Sequence, residues 1–256
     1  MKKPVIAGNW KMHKTIAEAR ELAASVARGF PEVSEAALIL IPPFTAIQEV
    51  KRTVSGTDIA VGAQDLFWEE KGAFTGEISP LQLKEAGCDF VIIGHSERRQ
   101  FFGETDETVR KKVLAALNHE LTPIVCIGET LEEREKGQTL NRIQTQLENS
   151  LFALDASSFS RVVLAYEPIW AIGTGLNATP EQAEEVQAFI RSLIASRYGK
   201  TLADYAIILY GGSVKPNNAL SLAREKDVDG FLVGGASLEA ESFLGIAREA
   251  LRAVRD

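Results

Sequence analysis

Eight short apolar runs punctuate the chain: Val5–Gly8, Ala37–Ile41, Ile59–Ala63, Phe90–Ile93, Ile124–Ile127, Val162–Tyr166, Ile207–Tyr210 and Gly230–Val233. They are nearly continuous in Val, Ile, Leu and Ala and do not alternate apolar with polar, which is the pattern of strands covered on both faces in a parallel sheet. Each run is followed by a polar or glycine-containing turn and then by an amphipathic stretch. The clearest helical patterns are Ile16–Arg28, Thr105–Asn118, Leu131–Leu151, Pro180–Tyr198 and Leu238–Val254. Thr179-Pro180-Glu181 is a good helix start, with a hydroxyl cap, proline at the first helical position and an early acid. Tyr198-Gly199-Lys200 is a matching stop.

Eight β-then-α units in 256 residues average about 32 residues each, the size of one βα step of a parallel sheet. No Pro/Gly/Ser-rich linker or shift in composition divides the chain, so residues 1–256 are expected to form one domain. Eight units closing on themselves predict an α/β fold, a single (β/α)8 TIM barrel. A doubly wound open sheet is the alternative. It would carry a glycine-rich nucleotide turn after the first strand, and Gly8-Asn9-Trp10-Lys11 is not glycine-rich.

Composition narrows the chemistry. The 28 Lys and Arg against 35 Asp and Glu give a formal net charge of -7, which argues against a nucleic-acid backbone as partner. A net negative protein can still hold an anion where positive groups are focused locally. Two cysteines, Cys88 and Cys126, make no disulfide framework and no C-x-x-C pair. The three histidines, His13, His95 and His119, are far apart and have no cysteine at ligand spacing, so no zinc set is expected. Lys2 and Lys3 precede too few apolar residues for a secretion signal, and no run approaches the roughly 18 apolar residues of a membrane span. A cytoplasmic location is expected, and the sequon at Asn177-Ala178-Thr179 then reads as chance.

In a barrel the active residues follow the C-terminal ends of the strands. Those positions hold Asn9 and Lys11, Gln64, His95 and Glu97, Glu129, Glu167, Gly211-Gly212-Ser213 and Gly234-Gly235. One amine, one imidazole, three carboxylates and two glycine turns suit small-molecule acid/base chemistry beside an anion cradle. Each also has a plainer reading. His95 could be a hydrogen-bonded core histidine, Glu167 half of a structural ion pair and Lys11 a surface lysine. Glu97 could be paired with Arg98 and Arg99, Glu129 reads as a loop or cap residue, and His119 as solvated at a helix end. The glycine turns weigh more, because barrels commonly bind phosphate after strands seven and eight on backbone N–H groups.

Three apparent motifs fail on context. Gly173-Thr174-Gly175-Leu176-Asn177-Ala178 fits a dinucleotide fingerprint but begins well after its strand ends. Gly199-Lys200-Thr201 lacks the first glycine of a P-loop, and Gly94-His95-Ser96-Glu97-Arg98 lacks the closing glycine of a nucleophile elbow. Residues 168–178, directly after Glu167, have a stiffening Pro168, an apolar middle and a glycine-rich end, a pattern that suits a lid excluding water.

Five segments together resemble the triosephosphate isomerase family from end to end: Gly8-Asn9-Trp10-Lys11-Met12, Gly94-His95-Ser96-Glu97-Arg98-Arg99, the run from Ala165 to Gly175, Tyr210-Gly211-Gly212-Ser213-Val214 and Leu232-Val233-Gly234-Gly235-Ala236. The resemblance implies cofactor-free interconversion of dihydroxyacetone phosphate and D-glyceraldehyde 3-phosphate through an enediolate, a step of glycolysis and gluconeogenesis. It implies that Glu167 is the base, that neutral His95 is the electrophile on the carbonyl oxygen, and that Lys11, helped by Asn9, is the fixed positive charge. Glu97 becomes a supporting or proton-relay acid, and backbone N–H groups of Gly173, Ser213, Gly234 and Gly235 hold the phosphate. The long loop from Gln64 to Ser79 is implied to insert into a neighbouring subunit, with Thr75 near that subunit's site, so a homodimer is expected. Leu176 and Asn177 depart from the Lys-Thr of many relatives, which bears on lid kinetics alone.

Two other functions compete. Lys11 could be a Schiff-base nucleophile, as in an aldolase-type barrel, or the chain could be a sugar-phosphate sensor without catalysis.

Overall fold

A computed structural model describes residues 2–172 and 178–255. Eight strands lie in chain order around a closed barrel: β1 (Val5–Asn9), β2 (Ala37–Ile41), β3 (Ala60–Ala63), β4 (Phe90–Ile93), β5 (Thr122–Ile127), β6 (Val163–Tyr166), β7 (Ile207–Tyr210) and β8 (Gly230–Val233). Neighbours are parallel throughout, and β8 closes on β1 with Val5 opposite Gly230 and Gly8 opposite Val233. The open-sheet alternative is excluded by that closure.

The continuous apolar runs are explained by two buried layers. Val5, Ala7, Ile39, Ile41, Ile92, Ile124, Cys126, Val163, Ala165, Leu209 and Leu232 fill the barrel interior. The residues between them, such as Ile6, Leu38, Leu40, Val125, Leu164 and Ile208, pack outward against the helices. With both faces covered, period-two alternation has no solvent face to record.

Side-chain caps start many of the helices. Thr15, Ser79, Thr105, Thr130 and Thr179 each accept from the backbone N–H three residues on, and the residue there reaches back to the cap. The expected helices Ile16–Arg28, Thr105–Asn118 and Pro180–Tyr198 are found within a residue of their predicted ends. The stretch predicted as one helix over Leu131–Leu151 is instead two, Leu131–Glu135 and Thr139–Ser150. Gly137 takes the left-handed conformation (φ 67°) between them and breaks the hydrogen-bond ladder. The last helix runs over Ala240–Arg255, because Gly235–Leu238 winds as a separate 3-10 turn. Residues 64–79 contain no helix or strand, yet the segment is internally packed, with Phe67 stacked on Trp68 at 4.1 Å and near Phe74 at 4.5 Å. No helix among the described residues is long and apolar enough to cross a membrane.

Candidate active site

The C-terminal ends of the strands open onto a cavity of about 530 Å³. Its lining includes Asn9, Lys11, His95, Glu167, Gly211, Gly212, Ser213, Gly234 and Gly235, so residues from five strand ends meet there. Gln64, Glu97 and Glu129 stand outside it. Gly173, Thr174, Gly175, Leu176 and Asn177 lie outside the described residues, and with them the expected phosphate contact of Gly173 and most of the expected lid.

Glu167 follows β6 directly and is 2% exposed. Its backbone N–H donates to Ile127 O on β5 at 2.8 Å. The carboxylate accepts from the backbone N–H of Ser96 at 2.9 Å, and its other oxygen is 3.1 Å from His95 Nε2. No Lys or Arg partner for this carboxylate is found among the described residues. The structural ion pair that could have explained a buried Glu167 is therefore not its setting.

His95 is the N-cap of the short helix Ser96–Phe101, and its Nδ1 accepts the Glu97 backbone N–H at 3.2 Å. An Nδ1 that accepts is unprotonated, so the proton sits on Nε2, which faces Glu167 as a donor. The imidazole is thereby fixed as the neutral Nε2–H tautomer.

Lys11 leaves β1 in a left-handed conformation (φ 51°), uncommon for a non-glycine residue. Two side-chain bonds hold it there: Asn9 Oδ1 accepts the Lys11 N–H at 3.0 Å, and Gln64 Nε2 donates to Lys11 O at 2.8 Å. Its ammonium lies 2.6 Å from Glu97 Oε1. Glu97 is thus paired with Lys11, whereas Arg98 pairs with Asp65 and Glu104, and Arg99 with Asp106. The adjacent-arginine explanation for Glu97 is replaced by a contact across the barrel mouth.

Space is tight at the glycine turn after β7, whereas at the turn after β8 a Cβ on Gly235 would meet nothing within 4 Å. A Cβ on Gly212 would come 2.2 Å from Tyr210 Oη, and one on Gly211 would come 2.9 Å from Glu167 Cγ. Carbonyls of the two turns are engaged internally: Gly234 O accepts from Ser237 N at 2.8 Å and Oγ at 2.7 Å, and Ser213 O accepts from Asn218 Nδ2 at 3.1 Å.

Two sequence expectations change. Glu129 is in the segment after β5 but is wholly buried, accepting from Trp170 Nε1 at 2.8 Å and Tyr166 Oη at 3.1 Å. Burial pushes its carboxyl above the ordinary range, and those hydrogen bonds with nearby Arg134 restore it only in part. His119 is not solvated: Nδ1 meets Ala115 O at 2.8 Å and Nε2 meets Glu70 at 3.0 Å. Sequence reasoning missed Ser96, because its contribution is a backbone N–H that only the fold aims at Glu167.

Comparison with known proteins gives the family. The family model for triosephosphate isomerase matches residues 4–250. The chain is 55% identical over 248 residues to a triosephosphate isomerase of Caldanaerobacter subterraneus subsp. tengcongensis, covering 96% of this chain and 99% of that protein. A triosephosphate isomerase of Thermoanaerobacter sp. is also 55% identical with the same coverage. One from Citrifermentans bemidjiense is 54% identical over 97% of this chain and 99% of its own length.

Proposed function

The chain belongs to the triosephosphate isomerase family, and from that premise we propose that Glu167 and His95 are the base and the electrophile of its reaction. That reaction, an intramolecular aldose–ketose isomerisation, interconverts dihydroxyacetone phosphate and D-glyceraldehyde 3-phosphate through an enediolate. The observation that carries the assignment is the 3.1 Å approach of His95 Nε2 to a Glu167 oxygen at the cavity wall.

Isomerisation needs a base beside one C–H bond and donors where the carbonyl oxygen becomes negative. When substrate enters, its carbonyl oxygen replaces the Glu167 carboxylate as acceptor for His95 Nε2–H. The carboxylate is then free to take a proton from one carbon and return it to the next. Lys11 adds a fixed positive charge near that oxygen, with Asn9 holding the loop that carries it. Glu97 holds the Lys11 ammonium in place and is the acid closest to a relay role. The amides of Ser213, Gly234 and Gly235 bind the phosphate. Their turns' occupied carbonyls support this, since an anion would meet N–H groups that internal bonds have not turned away.

Turnover in deuterated water, followed by a coupled assay without added metal or nucleotide, tests the chemistry. Product carrying deuterium on the carbon that exchanges its proton is expected. A borohydride-trapped adduct on Lys11 would instead select the Schiff-base mechanism, and phosphate binding without turnover would select a sensor. For the cradle, Gly234→Asp is expected to weaken inhibition by inorganic phosphate on the order of 10-fold or more through charge conflict; unchanged inhibition refutes it.

The assembly we propose is a homodimer built on the loop from Gln64 to Ser79, with Thr75 entering the partner's site. Met12 (94% exposed), Phe74 (42%), Phe101 (66%) and Phe102 (67%) support this. They follow β1, β3 and β4, and so many exposed large apolar groups on one side of the mouth suit a protein contact. Sedimentation of Thr75→Arg should show monomer where the unaltered chain shows dimer; a monomeric unaltered chain sinks the proposal. A cytoplasmic setting is consistent with the unpaired buried thiols of Cys88 and Cys126, and fractionation of cells would check it.

A further inference from the structure

Arg99 belongs to none of the chemistry above. It does not line the cavity, and its side chain is 12% exposed. Every arm of its guanidinium is nonetheless occupied. Nε donates to Gly94 O at 2.8 Å, Nη1 to Asp106 at 2.6 Å and Nη2 to Cys126 O at 3.4 Å.

Those two carbonyls are informative. Gly94 is the residue before His95 and turns the chain off β4 at φ 76°, a conformation that suits glycine. Cys126 is the residue before Ile127, whose carbonyl holds the Glu167 N–H at 2.8 Å. The pairing of β4 with β5 ends at Ile93 opposite Val125. Beyond that point the guanidinium joins the next residues of the two strands, where a ladder hydrogen bond would otherwise lie. Packing there is close: a Cβ on Gly94 would come within 3.0 Å of Arg99 Nη2 and Val109 Cγ2 and within 3.2 Å of Cys126 O.

We infer that Arg99 is a positioning residue that sets the spacing between His95 and Glu167 by tying the backbone mount of one to the backbone mount of the other. The inference rests on the roles given to His95 and Glu167 above. His95 comes off β4 and Glu167 off β6, so their separation depends on where β5 sits between them. A planar guanidinium has donors in a fixed fork and can hold both carbonyls at once, whereas an ammonium on a flexible stem cannot hold that geometry. Asp106 pairs with the guanidinium at 2.6 Å and offsets part of its positive charge; the two carbonyl ties are what fix the geometry. A misplacement of catalytic groups by about 1 Å can cost about 100-fold in rate, so a small slip between β4 and β5 is enough to matter.

The test is Arg99→Lys, with kcat and KM per folded molecule, thermal unfolding, and nitrogen NMR of histidine-labelled protein. The ion pair with Asp106 can survive this substitution while the double carbonyl contact cannot. Expected are a kcat lower by about 10-fold or more with KM within about twofold, and displaced His95 ring signals while those of His13 and His119 stay. Wild-type kcat, a rise in KM alone, or a loss that only tracks the unfolded fraction overturns the inference. If Arg99→Lys does not fold, Asp106→Asn takes its place. It loosens the guanidinium's seat without removing it, so a smaller kcat loss of the same kind is expected, and unchanged kcat overturns the proposal. Glu167→Gln separates the two levels. Activity retained there defeats the base assignment, whereas an inactive Glu167→Gln beside a fully active Arg99→Lys defeats only the clamp.

Discussion

At the end of the barrel where the strands begin, charged groups are tied into one closed network. Arg191, from the helix Pro180–Tyr198, pairs with Asp227 and with Asp229 at 2.8 Å and donates to the carbonyls of Ala203 (2.7 Å), Ala206 (3.0 Å) and Asp227 (3.2 Å). Lys2 joins Asp229 at 3.1 Å and Ala206 O at 2.7 Å, and Asp229 also accepts the Ile208 N–H at 2.9 Å. Burial opposes the charge on Arg191, but Asp229 and Asp227 outweigh it and raise its pKa. At the opposite end, the buried Glu167 carboxylate is held by a backbone N–H, a neutral imidazole and the buried Cys126 thiol, with no cationic side chain among the described residues. Partners of that kind can be exchanged for a substrate; a guanidinium fork on two carboxylates cannot be exchanged at comparable cost. Ion pairs occur at the mouth as well, Lys11 with Glu97 among them, but the Glu167 carboxylate, assigned above as the base, has no cationic partner among the described residues and is held by partners a substrate can displace.

The sharpest way to break that contrast is Glu167→Gln. The amide can still accept from Ser96, so the fold is expected to persist with little change in Tm. Losing the base should lower kcat on the order of 10²–10⁴-fold with far less effect on KM. Near-wild-type turnover would remove the base assignment and with it the functional half of the contrast.

Arg191→Met probes the other end. It leaves the Asp227 and Asp229 carboxylates, 8% and 10% exposed, without their main counter-charge, with Lys2 alone remaining on Asp229. Breaking a buried pair in this way costs about 3–5 kcal/mol, which urea unfolding would measure. kcat per folded molecule should stay as it was. A kcat loss at unchanged stability would show that the two ends are not separated in the way described.

How far the sequence carried this contrast follows from the range of each interaction. Strands were legible because burial on both faces leaves runs such as Ala37–Ile41 continuous, a local signature. The place of the glycine turns after β7 and β8 on the cavity wall is legible from their position in the strand count. Apolar periodicity alone makes Leu131–Leu151 look like one helix, because a single left-handed glycine, Gly137, does not disturb the pattern on either side. Contacts between distant segments were not legible: the Ser96 amide on Glu167, Lys11 on Glu97 and the burial of Glu129 under Trp170 all depend on barrel closure. Arg98 and Arg99, adjacent in sequence, go to different acids for the same reason. Asn9, Lys11, His95 and Glu167 were brought together as expected, while Gly173 lies outside the described residues.

A smaller effect should appear beside the catalytic mouth, where charge pairing is less complete in its outcome. Asp65, directly after Gln64, is 2.7 Å from Lys112 Nζ and 2.8 Å from Arg98 Nε, but Glu104 shares both cations at 2.9 and 3.2 Å. Burial and the Glu104 charge outweigh the two cations and push the Asp65 carboxyl up to about 6 from 3.8. A carboxyl with a raised pKa keeps its proton in the folded chain after the unfolded chain has released it. Its contribution therefore favours the fold most below about pH 4, declines as pH rises from about 4 to about 6, and is constant above that. A shift of this size corresponds to a change on the order of 1–3 kcal/mol across the window. Asp65→Asn has no proton to release, so the stability difference between the two proteins should move towards the variant between pH 4 and pH 6 and then level off. Chemical unfolding at a series of pH values would show it. A difference that stays flat across that window would mean that Lys112 and Arg98 compensate Asp65 as fully as Asp227 and Asp229 compensate Arg191, and the contrast would then be confined to Glu167 and His95.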